Sequence, residues 1–347
     1  MDFGGGEDIR FERRGAAGVI TLTRPKALNA LSLPMVQAMA RALEAWEEDS
    51  GVAAVLIMGE GRAFCAGGDI ARVYEARRKG ESAVQFFADE YRLNARIESY
   101  PKPYVALIDG IVMGGGVGVS CHGSHRVMTE KALLAMPEVG IGFFPDVGGS
   151  HLLPGLPGHY GYYLALTGAR IKYGDAFGAG IATHAAPSDA MDKIVTEIAD
   201  KGDPDTALKG AFETAPPRET DEATLAKIGK HFSKPDLPAI FASLAAAGDD
   251  EFAASTLAIM RSRSPTSLAV TFRQLSSGMG LSMRDCMRME FRILNRMLEG
   301  HDFYEGIRAV LIEKDGKPIW RPETIDDVRP ANIAHYFETL GRAELTF

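Results

Sequence analysis

The chain has 347 residues, 46% of them hydrophobic and 24% charged, with a formal net charge of -8. That is enough for one large domain or two smaller ones, each with a real core. The acidic balance argues against a general nucleic-acid surface. No apolar run reaches the roughly 18 residues that a membrane-crossing helix needs. The three cysteines, Cys65, Cys121 and Cys286, are scattered, with no CxxC pair and no Cys/His cluster. Neither a metal site nor a disulfide framework is expected, and a reducing, cytoplasmic setting is. The opening MDFGGGEDIRFERR has no apolar segment of a secretory leader, and its mixed charge is unlike a transit peptide.

In chain order, 8–12 and 18–23 read as two strands around a turn at 15–17, with Val19, Thr21 and Thr23 alternating with Ile20 and Leu22. Ser32 to Pro34 reads as a helix start. Met35, Met39, Ala42, Leu43 and Trp46 then share one helical face up to about residue 48. Residues 53–58 and 104–108 are short apolar runs, expected as buried strands. Between them, 82–99 reads as a helix with Phe86, Phe87, Tyr91 and Ala95 inward. Strands are expected at 126–129 and 132–136, helices at 160–166 and 173–178, and a further short strand at 180–184. The polar, proline-bearing stretch 201–222 reads as a mobile connection. Four or five helices follow it, of which 283–298 is the clearest. Strands alternating with helices in the first half predict α/β layering. A boundary is expected near residue 200, with 1–200 as an α/β core carrying the site and 201–347 as a mainly helical region.

Three features stand out as chemistry. Gly67-Gly68 and the run Gly114 to Gly116 follow strands and leave peptide N–H groups uncovered by side chains. Glu138 sits in the apolar stretch LLAMPEVGIGFFP, where a carboxylate is either tied structurally or poised as a base with a raised pKa. Asp146 follows Pro145 and reads equally well as a helix cap. Glu90 lies among Asp89 and Arg92, and composition alone assigns it to a solvated face. The glycine spacing fits neither a dinucleotide fingerprint nor a phosphate-binding loop. Several histidines are present, but no GxSxG elbow accompanies them, so a serine triad is not expected. Bare N–H donors beside a carboxylate are what acyl transfer requires.

The order of these blocks is itself informative. RPKALNAL (24–31), AFCAGGDI (63–70), DGIVMGGGVGVS (109–120), MPEVGIGFFPDVGG (136–149) and the segment 300–322 resemble, in sequence, the blocks of the enoyl-CoA hydratase/isomerase, or crotonase, superfamily. The likeness spans roughly 10–185 and 262–325. The stretches 89–94, 164–184 and 264–275 resemble its thioester hydrolase branch more closely. The resemblance implies a crotonase-like ββα spiral core and an acyl-CoA substrate. It implies no separate cofactor, since coenzyme A is part of the substrate. It also implies homo-oligomers built as trimers or hexamers, with no nucleic-acid or membrane partner.

Carried over residue by residue, the resemblance implies an oxyanion hole from the backbone N–H groups of Gly68 and Gly115, and catalytic roles for Glu138 and Asp146. Glu90, Gly115, Glu138 and Asp146 are the implied substrate contacts. Lys26, Ala27, Leu28, Ala66, Gly67, Gly68, Asp69 and Ile70 are the implied lining of the coenzyme A channel. Hydratases of this superfamily use two glutamates, and the first of those positions is Gly118 here. Adding water across a double bond wants the pair, whereas thioester hydrolysis can proceed with one. The expected reaction is therefore cleavage of a 3-hydroxyacyl-CoA thioester, 3-hydroxyisobutyryl-CoA foremost and 3-hydroxypropionyl-CoA next. The alternatives are a hydratase or isomerase with reassigned carboxylates, and a non-catalytic CoA-binding subunit.

Overall fold

A computed structural model describes residues 1–209 and 215–347. They form two compact units. One comprises Met1–Asp69, Gln85–Ala135 and Arg170–Glu219; the other comprises Ile70–Val84, Met136–Ala169 and Thr220–Phe347.

The first unit carries strands β1 (Ile9–Arg14), β2 (Ala17–Leu22), β3 (Ala54–Gly59), β4 (Ala63–Cys65), β5 (Tyr104–Ile108), β6 (Ile111–Met113), β7 (His125–Thr129), β8 (Leu133–Ala135), β9 (Ile171–Lys172) and β10 (His184–Ala186). They make a six-stranded sheet, β1-β2-β3-β5-β7-β10, and a four-stranded sheet, β4-β6-β8-β9. β1–β2 and β8–β9 are antiparallel and the other pairs are parallel. Successive strands go alternately to the two sheets: β3 then β4, β5 then β6, β7 then β8. The chain thus coils as an α/β spiral, laying one strand of each sheet per turn.

The links 60–62, 109–110 and 130–132 inside each turn are short, and their chemistry holds the coil tight. A side chain at Gly110 (φ 124) would overlap the carbonyl oxygen of Arg62 in the preceding turn. Asp109 fastens the next turn, accepting bonds from Thr129 Oγ1 at 2.6 Å and Ser188 Oγ at 2.9 Å.

All six residues of β2 are buried, so both of its sides are covered. That is why its apolar run is continuous rather than half polar. One core cluster joins Val19, Leu56, Val105, Leu107 and Val127 to Ile194, Val195 and Ile198 of the helix Met191–Lys201. On the helix Leu33–Glu48 the face predicted from the sequence, Met35, Met39, Ala42, Leu43 and Trp46, is fully buried. Gly18 lets the Trp46 ring approach, since a methyl there would sit 2.6 Å from it. Each such large apolar side chain contributes roughly 1.5–3 kcal/mol by leaving water.

The second unit is helical. Its helices Glu222–Phe232, Leu237–Ala245, Glu251–Arg261, Pro265–Gly278 and Met283–Met297 each begin at a side-chain cap. Asp221, Asp236, Asp250, Ser264 and Ser282 accept the N–H three residues on. Short acceptor side chains at these positions satisfy donors the helix cannot.

Three expectations need correction. β4 and β6 were not expected as regular structure, and the loop at Gly67-Gly68 opens onto a helix, Ile70–Lys79. The short strand expected at 180–184 lies at His184–Ala186. The connection expected at 201–222 contains a helix, Pro204–Leu208, capped by Asp203; its residues 210–214 lie outside the described ones. No helix among the described residues is long and apolar enough to cross a membrane.

Candidate active site

In the first unit, two loops are laced together backbone to backbone. Ala66 N–H donates to Leu28 O, Leu31 N–H to Gly67 O and Asp69 N–H to Leu31 O, at 2.9–3.0 Å. Leu28 and Asn29 hold left-handed conformations to make the turn (φ 51 and 57). Asn29 stays there because its side chain is fully used: Oδ1 accepts from Arg24 N, and Nδ2 donates to Glu60 O and Ala63 O. Arg24 closes the loop, reaching Ala30 O at 2.6 Å and Asp69 Oδ2 at 3.0 Å. Lys26 and Ala27 are exposed, while Leu28, Ala66, Gly68, Asp69 and Ile70 are half-buried and Gly67 is buried. Among the expected channel residues, Leu28, Ala66, Gly67, Gly68 and Asp69 are thus joined in one laced edge.

The lacing also orients a donor. The Gly67 carbonyl is taken by Leu31, and a trans peptide carries its N–H on the opposite edge. The Gly68 N–H therefore faces away from Leu31. Neither it nor the Gly115 N–H donates a hydrogen bond among the described residues. Gly115 opens the short helix Gly115–Gly118, where the first N–H groups have no intrahelical acceptor.

The three glycines have three separate causes. Gly114 has φ 48 and ψ -122, which side chains rarely adopt. A side chain on Gly116 would overlap the carbonyl oxygen of Cys65, so this glycine lets the helix lie on β4. A methyl on Gly115 would stand 3.2 Å from Gly68 N and 2.5 Å from Glu90 Oε1. Bare backbone at 115 therefore keeps open the space shared by Gly68 and Glu90. Packing and chemistry are both present in GGG, at different residues.

Glu90 corrects the composition reading. It is buried, at 2% exposure, on the helix Val84–Glu98. Its neighbour Asp89 takes the surface role, accepting from Gln37, Gln85 and Arg92. Gly68, Gly115 and Glu90 are brought together.

In the second unit, Glu138 starts a 3-10 turn, Glu138–Ile141, directly after Pro137. It is buried, and its Oε2 has no hydrogen-bond partner. Burial, then the charges of Asp146 and Glu290, hold its carboxyl well above the usual range. A carboxylate kept this way is a stronger base than one in water. Asp146 is also buried, at 4% exposure, and its side chain does not cap the helix Gly149–Leu152. Its backbone carbonyl accepts Gly149 N–H at 2.7 Å instead. Val147 (φ 50) and Gly148 (φ 88) are left-handed, which delays the helix and turns Asp146 away from the cap position.

Glu290, on the helix Met283–Met297, was not singled out by sequence reasoning. It is fully buried and accepts Gly148 N–H at 2.9 Å, Ser150 N–H at 3.0 Å and the Ser150 hydroxyl. Burial raises its carboxyl to about 7 against these bonds, which pull it down. Its signal was present: a lone carboxylate on the stripe Cys286, Met289, Ile293, Met297.

A Ser–His–Asp line does occur, with Ser124 Oγ 2.8 Å from His125 Nδ1 and His125 Nε2 3.0 Å from Asp205 Oδ1. Ser124 Oγ, however, accepts Tyr104 N–H and lies 3.2 Å from Tyr104 O. Its surroundings are those of a strand-end clasp. Among the described residues no group of three or more His, Cys, Asp or Glu is placed to hold a metal ion.

Residues 17–337 match the family model described as enoyl-CoA hydratase/isomerase, and the chain belongs to that family. Curated relatives named 3-hydroxyisobutyryl-CoA hydrolase, mitochondrial, include that of Rattus norvegicus, 44% identical over 98% of this chain and 91% of its own. That of Xenopus tropicalis is 46% identical over 96% and 89%. Among solved structures, a carnitinyl-CoA dehydratase from Mycobacterium thermoresistibile is 43% identical, with TM-score 0.92 over 99% of both chains. An enoyl-CoA hydratase from Rhodobacter sphaeroides is 40% identical, with TM-score 0.88 over 98% of this chain and all of that one.

Proposed function

We propose that this protein hydrolyses a 3-hydroxyacyl-CoA thioester, 3-hydroxyisobutyryl-CoA foremost, to the free acid and coenzyme A, a step of valine breakdown. Relatives of similar identity carry two kinds of reaction name, hydrolase and hydratase or dehydratase. The observation that carries the choice is the carboxylate inventory. The position of a hydratase's first glutamate is Gly118, buried in the helix Gly115–Gly118, while Glu138 keeps a buried carboxyl whose Oε2 is unpartnered.

In this reading the thioester oxygen takes the N–H groups of Gly68 and Gly115, each worth roughly 3 kcal/mol of barrier. Glu138 attacks the carbonyl, expelling the thiolate to give a mixed anhydride that water then hydrolyses, or instead activates water to attack the carbonyl directly. The thiolate of coenzyme A is a good leaving group, so no strong general acid is needed. Glu90 and Asp146 hold the substrate's 3-hydroxyl and the water. The edge formed by Leu28, Ala66, Gly67, Gly68 and Asp69, with Lys26, Ala27 and Ile70, takes coenzyme A. No further cofactor enters the step. The free, buried Cys65, Cys121 and Cys286 suit a reducing setting, and we infer a cytoplasmic one, although the named vertebrate relatives are mitochondrial. A homotrimer or pair of trimers is the expected assembly, which a sizing column with light scattering tests.

The deciding experiment is thiol release across acyl-CoAs with and without a 3-hydroxyl, set beside loss of the enoyl absorbance of crotonyl-CoA. Hydrolysis of the 3-hydroxy esters, abolished in Glu138→Ala with coenzyme A binding intact, supports the proposal. Hydration of crotonyl-CoA without thiol release overturns it.

A further inference from the structure

We infer that Glu290 is a positioning residue for the reaction, clamping the turn 145–150 and thereby setting where the Asp146 carboxylate sits. The inference rests on the role proposed for Asp146.

The turn is held from both ends. At its start, Gln274 Nε2 donates to Pro145 O at 2.6 Å. At its end, Glu290 Oε2 accepts Gly148 N–H, and Oε1 accepts Ser150 N–H and the Ser150 hydroxyl. The two clamps touch each other, Gln274 Nε2 lying 3.4 Å from Glu290 Oε1. Gln274 and Glu290 come from consecutive helices, Pro265–Gly278 and Met283–Met297, so their spacing is fixed by helix packing. Gly278 adds a third constraint: a side chain there would overlap Ser150 O. Asp146 lies between the two clamps.

The turn needs such holding. Val147 is β-branched and left-handed at φ 50, a strained conformation that persists only where its surroundings impose it. Glu290, Gln274 and Ser150 are fully buried, so water does not stand in for a lost bond. The chemistry also selects glutamate. Four donors, the Gly148 and Ser150 N–H groups, the Ser150 hydroxyl and Gln274 Nε2, converge on one side chain, and only an acceptor with two oxygens serves them. Glutamine would turn an NH2 group toward a backbone N–H, and aspartate is one methylene short.

The test is a double-mutant cycle in the full-length protein, using whichever acyl-CoA the wild type turns over fastest. kcat and KM are measured for Glu290→Gln, Asp146→Asn and the double variant, with thermal melts of each. Glu290→Gln is expected to lower kcat by about 30- to 100-fold while KM moves less than about threefold. In the Asp146→Asn background the same change lowers kcat by less than about threefold, because its effect passes through Asp146. Glu290→Asp restores part of the loss. Should Glu290→Gln not fold, Ser150→Ala carries the same cycle with an expected loss of about 3- to 10-fold. Losses that multiply, or a Glu290→Gln enzyme with wild-type kcat, overturn the inference and leave the proposed function standing. A silent Asp146→Asn overturns both the inference and the role proposed for Asp146, while the hydrolase reading is decided by Glu138→Ala.

Discussion

Replacing Gly115 by alanine tests the open space at the head of the glycine run. The added methyl meets Glu90 Oε1 at 2.5 Å, Gly68 N at 3.2 Å and the Gly67 carbonyl carbon at 3.4 Å. The last is an ordinary contact, the second is tight, and the first is an overlap that Glu90 must relieve. Glu90 is buried, so it moves against packed neighbours, and overpacking of this kind costs about 1–3 kcal/mol. Alanine recovers up to roughly 1 kcal/mol as a better helix residue than glycine. The net loss of stability is therefore about 0–3 kcal/mol, and the variant is expected to fold. Its activity is another matter, since the methyl occupies the space proposed for the thioester oxygen. Losing one oxyanion donor typically costs about 100- to 1,000-fold in kcat. A thiol-reagent assay is expected to show at least a 100-fold fall, with a melting temperature within a few degrees of wild type. An alanine variant within fivefold of wild-type turnover would refute the assignment of Gly115. Gly116→Ala is the contrasting control. Its clash is with the backbone of β4, which cannot swing aside, so it is expected to unfold or lower the melting temperature sharply.

Three further outcomes are expected. The acid limb of kcat/KM is expected above the ordinary carboxylate range, because the role proposed for Glu138 needs it ionised; Asp146→Asn, which removes one of the charges raising it, shifts that limb downward in a pH–rate profile. Glu290 is raised from 4.5 to about 7, so its contribution to stability is fully present below pH 4.5 and is lost as pH rises through about 7. That displacement corresponds to about 3 kcal/mol, Glu138 adds to it with the same sign, and urea titrations of Glu290→Gln across this window show a flatter dependence than wild type. Ser264→Ala removes both the cap for Ser267 N–H and the 2.6 Å bond to buried Asp302, and calorimetry is expected to show a loss of about 2 kcal/mol.

What the sequence reveals follows from how far a periodic signal extends. The helix Leu33–Glu48 offers four turns of apolar spacing, and the predicted face is the buried one. β5 is five apolar residues between a proline and an aspartate, and its bounds come out directly. β4 and β6 have three residues each, too few for any period, and their neighbouring glycines read as loops. Among the site residues, the blocks around 68, 115 and 138 are recognisable by order. The reasons behind each glycine are not, because φ, packing and an open space all ask for the same residue type. Glu90 is hidden by its neighbours: Asp89 and Arg92 make the segment look solvated, while a helix turns adjacent side chains by about 100° and so buries one carboxylate beside a half-buried one. Glu290 is hidden by distance, since nothing local connects it to a turn 140 residues earlier.

The brevity of the links within each coil decides where this chain tolerates being interrupted. A tag or protease site placed at 60–62, 109–110 or 130–132 would wedge a strand of one sheet away from the strand that follows it in the other. Gly80 and Gly248 are different: an atom added at either meets nothing within 4 Å. Labels, affinity handles and cleavage sites belong there, where added residues extend into solvent and leave the winding of the chain as it is.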